Sequence, residues 1–393
     1  MKRFLKILKM IGLTLGGIIL LLIIITVAFV NLSPQFGKSP SEEQQKAFAA
    51  TGHFKDGKFE NLIPTTLDLG FSKGVSVTFD MLFRKGPDRE PGAPLPLKKI
   101  EPAVVANRAP DIARLTWFGH SACLLEIDGK KILFDPMLGQ YAGPIPGLSP
   151  KRYNEELPIE IDALPFIDAI VISHDHYDHL DHGSILKLKE KTGRFYVPLG
   201  VAAHLISWGV KPENITELDW WQEAQHDGFT FICAPARHFS GRGFSRNVTL
   251  WSSWIVKTAS QQLYFSGDSG YGPHFKEIGE KYGPMDFVMM ECGQYNELWK
   301  SIHMMPEETV QATLDVKGKM LLPIHWGAFT LALHSWHDPA IRVTAAAQAV
   351  NLPVATPIIG EQIMLDYKNV PQSKWWMRES TVHGRQSTAV RVK

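Results

Sequence analysis

The sequence predicts an α/β layered domain preceded by one N-terminal transmembrane helix. Three observations predict it. Behind a basic N-terminus run twenty-one residues without a charge, Met10 to Val30. From Asp111 onward, strand-like runs are interleaved with helix-like ones. Histidines and aspartates recur just past the ends of those strands.

The first element is the apolar run. MKRFLKILK carries Lys2, Arg3, Lys6 and Lys9, so residues 1–9 form a basic segment expected to stay in the cytoplasm. As a helix, residues 10–30 are about 31 Å long, the thickness of a bilayer's hydrocarbon core. A cleaved signal peptide has a shorter apolar region, roughly 7–15 residues, and a small-x-small cleavage site. Ala28-Phe29-Val30 makes a poor one. The run therefore reads as an uncleaved single-pass anchor, which puts the rest of the chain outside the cytoplasm, in the periplasm if the cell is a Gram-negative bacterium. A long signal sequence is the alternative, and both versions export the domain.

Residues 31–110 are mixed and rich in Pro and Gly, as in GPDREPGAPLPL (Gly86–Leu97). They read as an extension wrapping the domain that follows, without a core of their own. That domain is placed at 111–366. ARLTWFGHSACLLEIDGKKILFDPML (Ala113–Leu138) predicts two strands joined at Asp128-Gly129, a hairpin signal. DAIVISH (Asp168–His174) is a short buried strand, and SILKLKEK (Ser184–Lys191) is helix-like. FTFICAPARHF (Phe229–Phe239) and WSSWIVKT (Trp251–Thr258) alternate as strands do, and QQLYFSGDSG (Gln261–Gly270) is a strand entering a glycine-bracketed loop. PEETVQATLDV (Pro306–Val316) opens like a helix, with Pro first and acids in its first turn. KMLLPIHWG (Lys319–Gly327) is a strand ending in a loop. The tail, 367–393, is polar apart from Trp375-Trp376 and reads as peripheral.

Composition narrows the function. Lys plus Arg number 41 against 40 Asp plus Glu, so no net positive field argues for nucleic acid. Cys123, Cys233 and Cys292 each sit in an apolar run and read as buried thiols.

The chemistry is concentrated in VISHDHYDHLDH, Val171 to His182. Four of the fifteen histidines and three aspartates fall within nine residues there. Imidazoles and carboxylates are costly to bury without partners, and no helix or strand needs them. In extended chain, side chains two apart point the same way. His174 and His176 therefore project together toward one metal ion. Asp178 and His179 follow at the turn toward a helix and can face a second. Nitrogen and carboxylate oxygen suit zinc, and also manganese or iron. Further ligands stand beyond other strands: His238, Asp268 in SGDSG, and His325. Any one histidine alone is more often a packed or surface residue. Four strand ends delivering this set in order form a multi-part motif. His182 lies one turn too far on and reads as a solvated helix-start residue.

HDHYDHLD with these downstream residues resembles the metallo-β-lactamase fold hydrolases, an αββα sandwich. Within them the chain is similar to the N-acylphosphatidylethanolamine-hydrolysing phospholipase D family. The similarity runs from about Leu115 to Pro339 and includes TELDWWQE, FSGDSGYGPHFKEIGEKYGPMDF, HMMPEETVQATLDV and IHWGAFTLA. The resemblance implies two Zn2+ ions, one held by His174, His176 and His238. The other would be held by Asp178, His179 and His325, with Asp268 between them as a bridging and catalytic carboxylate. It also implies a substrate-side role for His303 in HMMPEE, and it places Tyr177 at the family's ligand-loop tyrosine. From the residues alone, His303 reads equally well as a surface residue at a helix start. Asp135 in FDPML matches an acid that orients a ligand histidine, or caps a turn. Three departures stand out. Asp175 replaces an asparagine, which is expected to add negative charge close to the ions. MMECGQYNELW (Met289–Trp299) is only partly similar, and the membrane anchor lies outside the pattern.

Two divalent ions lower the pKa of water toward about 7 and offset phosphodiester charge. The resemblance thus implies hydrolysis of a membrane phospholipid, N-acylphosphatidylethanolamine, to N-acylethanolamine and phosphatidic acid, by a homodimer. A membrane anchor suits a substrate that stays in the bilayer. The same metal pair also opens lactones and carboxylic esters, and a non-catalytic metal-binding membrane protein is a further alternative. The groove walls are expected from Leu82–Gly86 and Leu298–Met305, where core packing competes as an explanation.

Overall fold

The computed structural model describes residues 1–66, 70–83, 86, 88–107 and 109–377. Helix α1 spans Lys2–Leu32, with no side chain of it buried, and is long and apolar enough to cross a membrane. It begins earlier than the uncharged run because Lys2, Arg3, Lys6 and Lys9 are good helix formers whose stems can lie along apolar surface.

The following extension is more than a wrapping. It folds into α2 (Glu42–Phe48), a small hairpin of β1 (Phe54–Lys55) and β2 (Lys58–Phe59), α3 (Phe71–Phe83) and α4 (Pro102–Ala106). A capping box at Ser41 and Gln44 starts α2. Phe48, Phe54 and Phe59 pack ring on ring and join the central core. Asn61 then pins the backbone of a site residue: its amide donates to His238 O (2.7 Å) and its oxygen accepts from His238 N (3.1 Å).

The first half of the domain gives β3 (Arg114–Trp117), β4 (Cys123–Ile127), β5 (Lys130–Phe134) and β6 (Ile167–Val171). Then come α5 (His182–Leu188), β7 (Thr192–Pro198), α6 (Ala202–Ser207) and β8 (Ile215–Leu218). Three strands replace the two expected in 113–138, because Gly119 to Ala122 turn the chain once more before the Asp128-Gly129 hairpin. That hairpin has φ of 50° and 72° at its two central residues, the left-handed backbone an Asp-Gly pair accepts.

The second half gives β9 (Glu223–His226), β10 (Phe229–Ala234), β11 (Ser253–Lys257), β12 (Gln262–Phe265) and α7 (His274–Lys281). It finishes with β13 (Phe287–Glu291), α8 (Pro306–Asp315), β14 (Leu321–Ile324), α9 (Asp338–Ala349) and β15 (Gln362–Met364). Apart from the β1-β2 hairpin, the described strands form two sheets, ordered β15-β3-β4-β5-β6-β7-β8 and β14-β13-β12-β11-β10-β9. β5 to β8 run parallel, as do β12 to β14.

Period-two alternation explains the layers. Leu125, Phe134 and Val171 of one sheet meet Phe231, Trp254 and Phe265 of the other in the central core. Phe134 and Phe265 touch across it at 5.0 Å. The opposite parity faces outward onto helices: Leu133, Ile170 and Phe195 pack with Ile185 and Leu205 of α5 and α6. Ile232, Tyr264 and Val288 pack with α7 to α9 in the same way. The result is the expected αββα sandwich, with all three cysteines buried and free.

The tail departs from expectation. Trp375 and Trp376 are each 3% exposed and belong to the central core. Trp375 stacks on Trp326 at 5.3 Å and donates Nε1 to Pro357 O. Burying two indoles outweighs the polarity around them. Residues 378–393 lie outside the described residues. Trp375→Ala should cost about 3–5 kcal/mol by opening a cavity beside Trp326. Denaturant unfolding of the solubilised protein would show it as a lowered midpoint.

Candidate metal centre

Parallel strands aim their C-terminal ends the same way, so the loops after them share one edge of the sandwich. His120 follows β3, His174 follows β6, and His238 follows β10. Asp268 follows β12, Glu291 closes β13, and His325 follows β14. His303 precedes α8.

Two clusters of potential ligand atoms result. In the first, His174 Nε2 lies 2.8 Å from His176 Nδ1, and His238 Nε2 lies 3.2 Å from that same atom. In the second, His120, Asp178, His179 and His325 converge. Asp268 sits between the two. Its Oδ2 is 3.0 Å from His179 Nε2 and 3.8 Å from both His174 Nε2 and His238 Nε2, while Oδ1 is 3.1 Å from His325 Nδ1.

Outer partners fix the imidazoles. Asp135 Oδ2 is 2.7 Å from His179 Nδ1 and accepts from Ser173 Oγ at 2.6 Å. Ser173 Oγ in turn lies 2.9 Å from His174 Nδ1. His238 Nδ1 is held by Ile302 O at 3.0 Å. The free Nε2 atoms of His174, His179 and His238 are thereby turned toward Asp268.

Burial drives the electrostatics. It pushes His174, His238 and His325 well below the usual imidazole range, and His176 to about 4. Those rings are neutral, as metal ligands must be. Burial also pushes Asp268 up to about 6, against the pull of His179. His179 is the exception: desolvation disfavours its charge, but Asp268, Asp178 and Asp135 outweigh that and raise it well above 6.5. Carboxylates crowded around one imidazole mark a place that favours positive charge. Among the described residues, His179 Nε2 and Asp268 Oδ1 are buried without a hydrogen-bond partner. Convergent, unpaired atoms of this kind suit a bound cation. The donor set of neutral imidazoles and carboxylates fits a divalent transition ion.

The structure thus brings together all seven residues expected from the sequence as metal ligands. His303 stands beside them, its ring 5.0 Å from His238 and 5.1 Å from His325. Tyr177 faces another way: its hydroxyl donates to Arg242 O, and its ring meets Phe36 and the Arg242 guanidinium. His182 caps no cluster and packs half-buried against Trp208, less solvated than expected. Asp175 brings its expected charge close to the first cluster, where it acts on His176. Its carboxylate turns from the clusters to Gly241 N, Thr249 Oγ1 and His204 Nε2. Of the expected groove walls, Trp299 and Ile302 pack against Val77 and Phe239 next to His238, while residues 84 and 85 lie outside the described residues.

Two site residues were missed by sequence reasoning. His120 is fully buried, 2.9 Å from Asp178 Oδ2, and held at φ 54°. Its only signal was a histidine following Gly119 just past a strand, the same placement that flagged His325. Glu291 closes an apolar strand and gave no periodic signal. Its Oε2 lies 2.9 Å from His303 Nδ1, and its Oε1 accepts from Met304 N.

Comparison with known proteins agrees with the geometry. A family model described as a beta-lactamase superfamily domain matches residues 130–326. An uncharacterized protein of Mycobacterium tuberculosis (strain ATCC 25618 / H37Rv) is 44% identical over 316 residues, covering 79% of this chain and 84% of that one. N-acyl-phosphatidylethanolamine-hydrolyzing phospholipase D 1 of Caenorhabditis elegans is 34% identical over 235 residues, covering 56% of this chain and 66% of that one. The crystal structure of a possible metal-dependent hydrolase from Veillonella parvula DSM 2008 is similar in fold, with a TM-score of 0.51 at 18% identity, covering 64% of this chain and 99% of that one. The chain belongs to the β-lactamase superfamily, with the metallo-β-lactamase fold of its metal-dependent hydrolases.

Proposed function

We propose that this protein is a membrane-anchored phosphodiesterase with two divalent ions, cleaving N-acylphosphatidylethanolamine-type lipids to N-acylethanolamine and phosphatidic acid. The observation that carries it is the pair of ligand clusters joined by Asp268, in a chain similar to a phospholipase D of that name. His174, His176 and His238 would hold one ion and Asp178, His179 and His325 the other, with Asp268 between. Zinc, manganese and iron all match these donors. Bound there, the ions would supply water of lowered pKa and neutralise phosphate charge.

The chain's own residues do the rest. Asp135 and Ser173 keep His179 and His174 presenting Nε2, so the site is organised before substrate arrives. His303, oriented through Nδ1 by Glu291, has Nε2 left to donate to a phosphate oxygen or the leaving oxygen. Burial pushes Glu291 well above the usual carboxylate range. Tyr177 acts at one remove, bracing the ligand loop through Arg242. Helix α1 spans the membrane with its basic end in the cytoplasm, placing the domain on the far side within reach of bilayer lipid. A homodimer accords with the family resemblance.

Solubilised protein should release N-acylethanolamine from N-acylated phosphatidylethanolamine, and His176→Ala or Asp268→Asn should cut kcat/KM by about a hundredfold or more. Turnover of lactones with none of the phospholipid would overturn the substrate assignment. Chelation should abolish activity, and metal analysis should find about two ions per chain, following the two clusters. Asp135→Asn should loosen His179 and weaken metal affinity by roughly 10–100-fold. Calorimetric zinc titration reads that directly.

A further inference from the structure

The membrane anchor does not leave the domain through a free linker. Directly after α1, residues Ser33 to Lys38 lie on the loop that carries His174 to His182. Trp208 Nε1 donates to Pro34 O at 2.7 Å. Arg242 donates to Gln35 O through Nε (3.0 Å) and Nη2 (2.6 Å). With Nη1 the same guanidinium reaches Asp175 O and Leu180 O, both at 2.7 Å, so one side chain bridges the strap and both ends of the ligand loop. Arg242 is buried and has no carboxylate within ion-pair distance among the described residues; carbonyls and the faces of Tyr177 (4.1 Å) and Trp208 (5.1 Å) hold it.

A second connection runs through His204. Its Nδ1 accepts from Lys38 N at 3.1 Å, which leaves the proton on Nε2 to donate to Asp175 Oδ2 at 3.1 Å. The strap meets this ring at Gly37, whose φ of 68° and ψ of −150° lie where only glycine is comfortable. A Cβ there would stand 2.1 Å from His204 Nδ1. Phe36 closes the contact, edge-on to Tyr177 at 6.0 Å and to Phe29 of α1 at 5.4 Å.

We infer that Ser33–Lys38 is a structural part of the metal-bearing loop: the exit of the anchor positions Asp175 to Leu180, and docking of the strap supports metal affinity. This rests on the reading that the loop holds metal. The strap residues touch no reacting atom and act as positioning residues.

The test uses the full chain in detergent, with zinc affinity read by competition against a chromogenic chelator and amide exchange read over residues 174–182. Gly37→Ala should weaken zinc binding about tenfold, as loss of a residue backing a ligand does, and speed exchange in the loop. Trp208→Phe, a milder change that keeps the ring and loses the bond to Pro34, should move both in the same direction by less. Four Gly-Ser residues inserted between Leu32 and Ser33 lengthen the tether yet leave the strap seated, and should leave both readings at the parental value. Parental affinity and exchange in Gly37→Ala and Trp208→Phe alike would overturn the inference. No substrate is used, so failure of the phospholipid assignment leaves the result intact. A parent chain that binds no zinc, manganese or iron would overturn the metal reading and this one together.

Discussion

One carboxylate holds the centre in place. Asp135, unexposed and at φ 35°, accepts from Ser173 N (2.7 Å), from Ser173 Oγ and from His179 Nδ1. Its own amide donates to Val171 O. The ends of β5 and β6 are thus stitched together at the point where the ligand loop begins. Ser173 O then accepts from Ser252 N at 2.9 Å, which ties the opposite sheet to the same spot. Gly267, in the loop that delivers Asp268, passes so close that a Cβ would meet Ser173 Cβ at 2.5 Å. At φ 58° its glycine identity is doubly required. Two sheets that merely packed face to face could slide by an ångström. Hydrogen bonds and a glycine contact centred on Ser173 remove that freedom where imidazoles from one sheet must meet a carboxylate from the other.

The electrostatics follow from that convergence. Neutral imidazoles are tolerable in a dry pocket, and desolvation keeps them neutral. Carboxylates are not, so Asp178, Asp268 and Asp135 crowd upon His179 and raise it. That crowding favours positive charge beside Asp268. Glu291 and His303, bonded to each other, adjoin the same pocket, their ligand atoms grouping with those of Asp268 and His325.

The sandwich and most of the centre were legible in the sequence because both rest on local periodicity. Alternation in FTFICA and in LLEIDGKKILF sorts side chains between two cores, and His-x-His on extended chain needs no tertiary knowledge. What escaped was residues whose role is set by distant partners. His120 is one imidazole beside a serine until the fold puts Asp178 2.9 Å away. Glu291 hides in FVMME, where an apolar strand supplies no contrast. Trp375 and Trp376 stand in a polar tail with no period, and the shelf offered by Trp326 and Trp336 explains their burial. How the extension is fastened is hidden for the same reason: Phe48, Phe54 and Phe59 are too widely spaced to announce that they join the domain's core.

Asp175 shows how a single letter in the motif is decided by partners outside it. Read as sequence, a carboxylate next to three ligands adds unwanted charge. In the fold, Gly241 N–H and Thr249 O–H both donate to it, and His204 Nε2 donates as well because Lys38 N–H occupies Nδ1. Three donors demand an acceptor-only side chain. An asparagine would have to aim its own NH2 at one of them, leaving two donors face to face in a buried place. Burial opposes the carboxylate's charge, but the His204 and Gly241 hydrogen bonds, with the His204 and His176 imidazoles, hold it below its ordinary range. Lys38 N–H on Nδ1 and Asp175 on Nε2 favour the same His204 tautomer. The aspartate in the ligand loop and the strap after α1 are therefore one hydrogen-bonding solution, each accounting for the other.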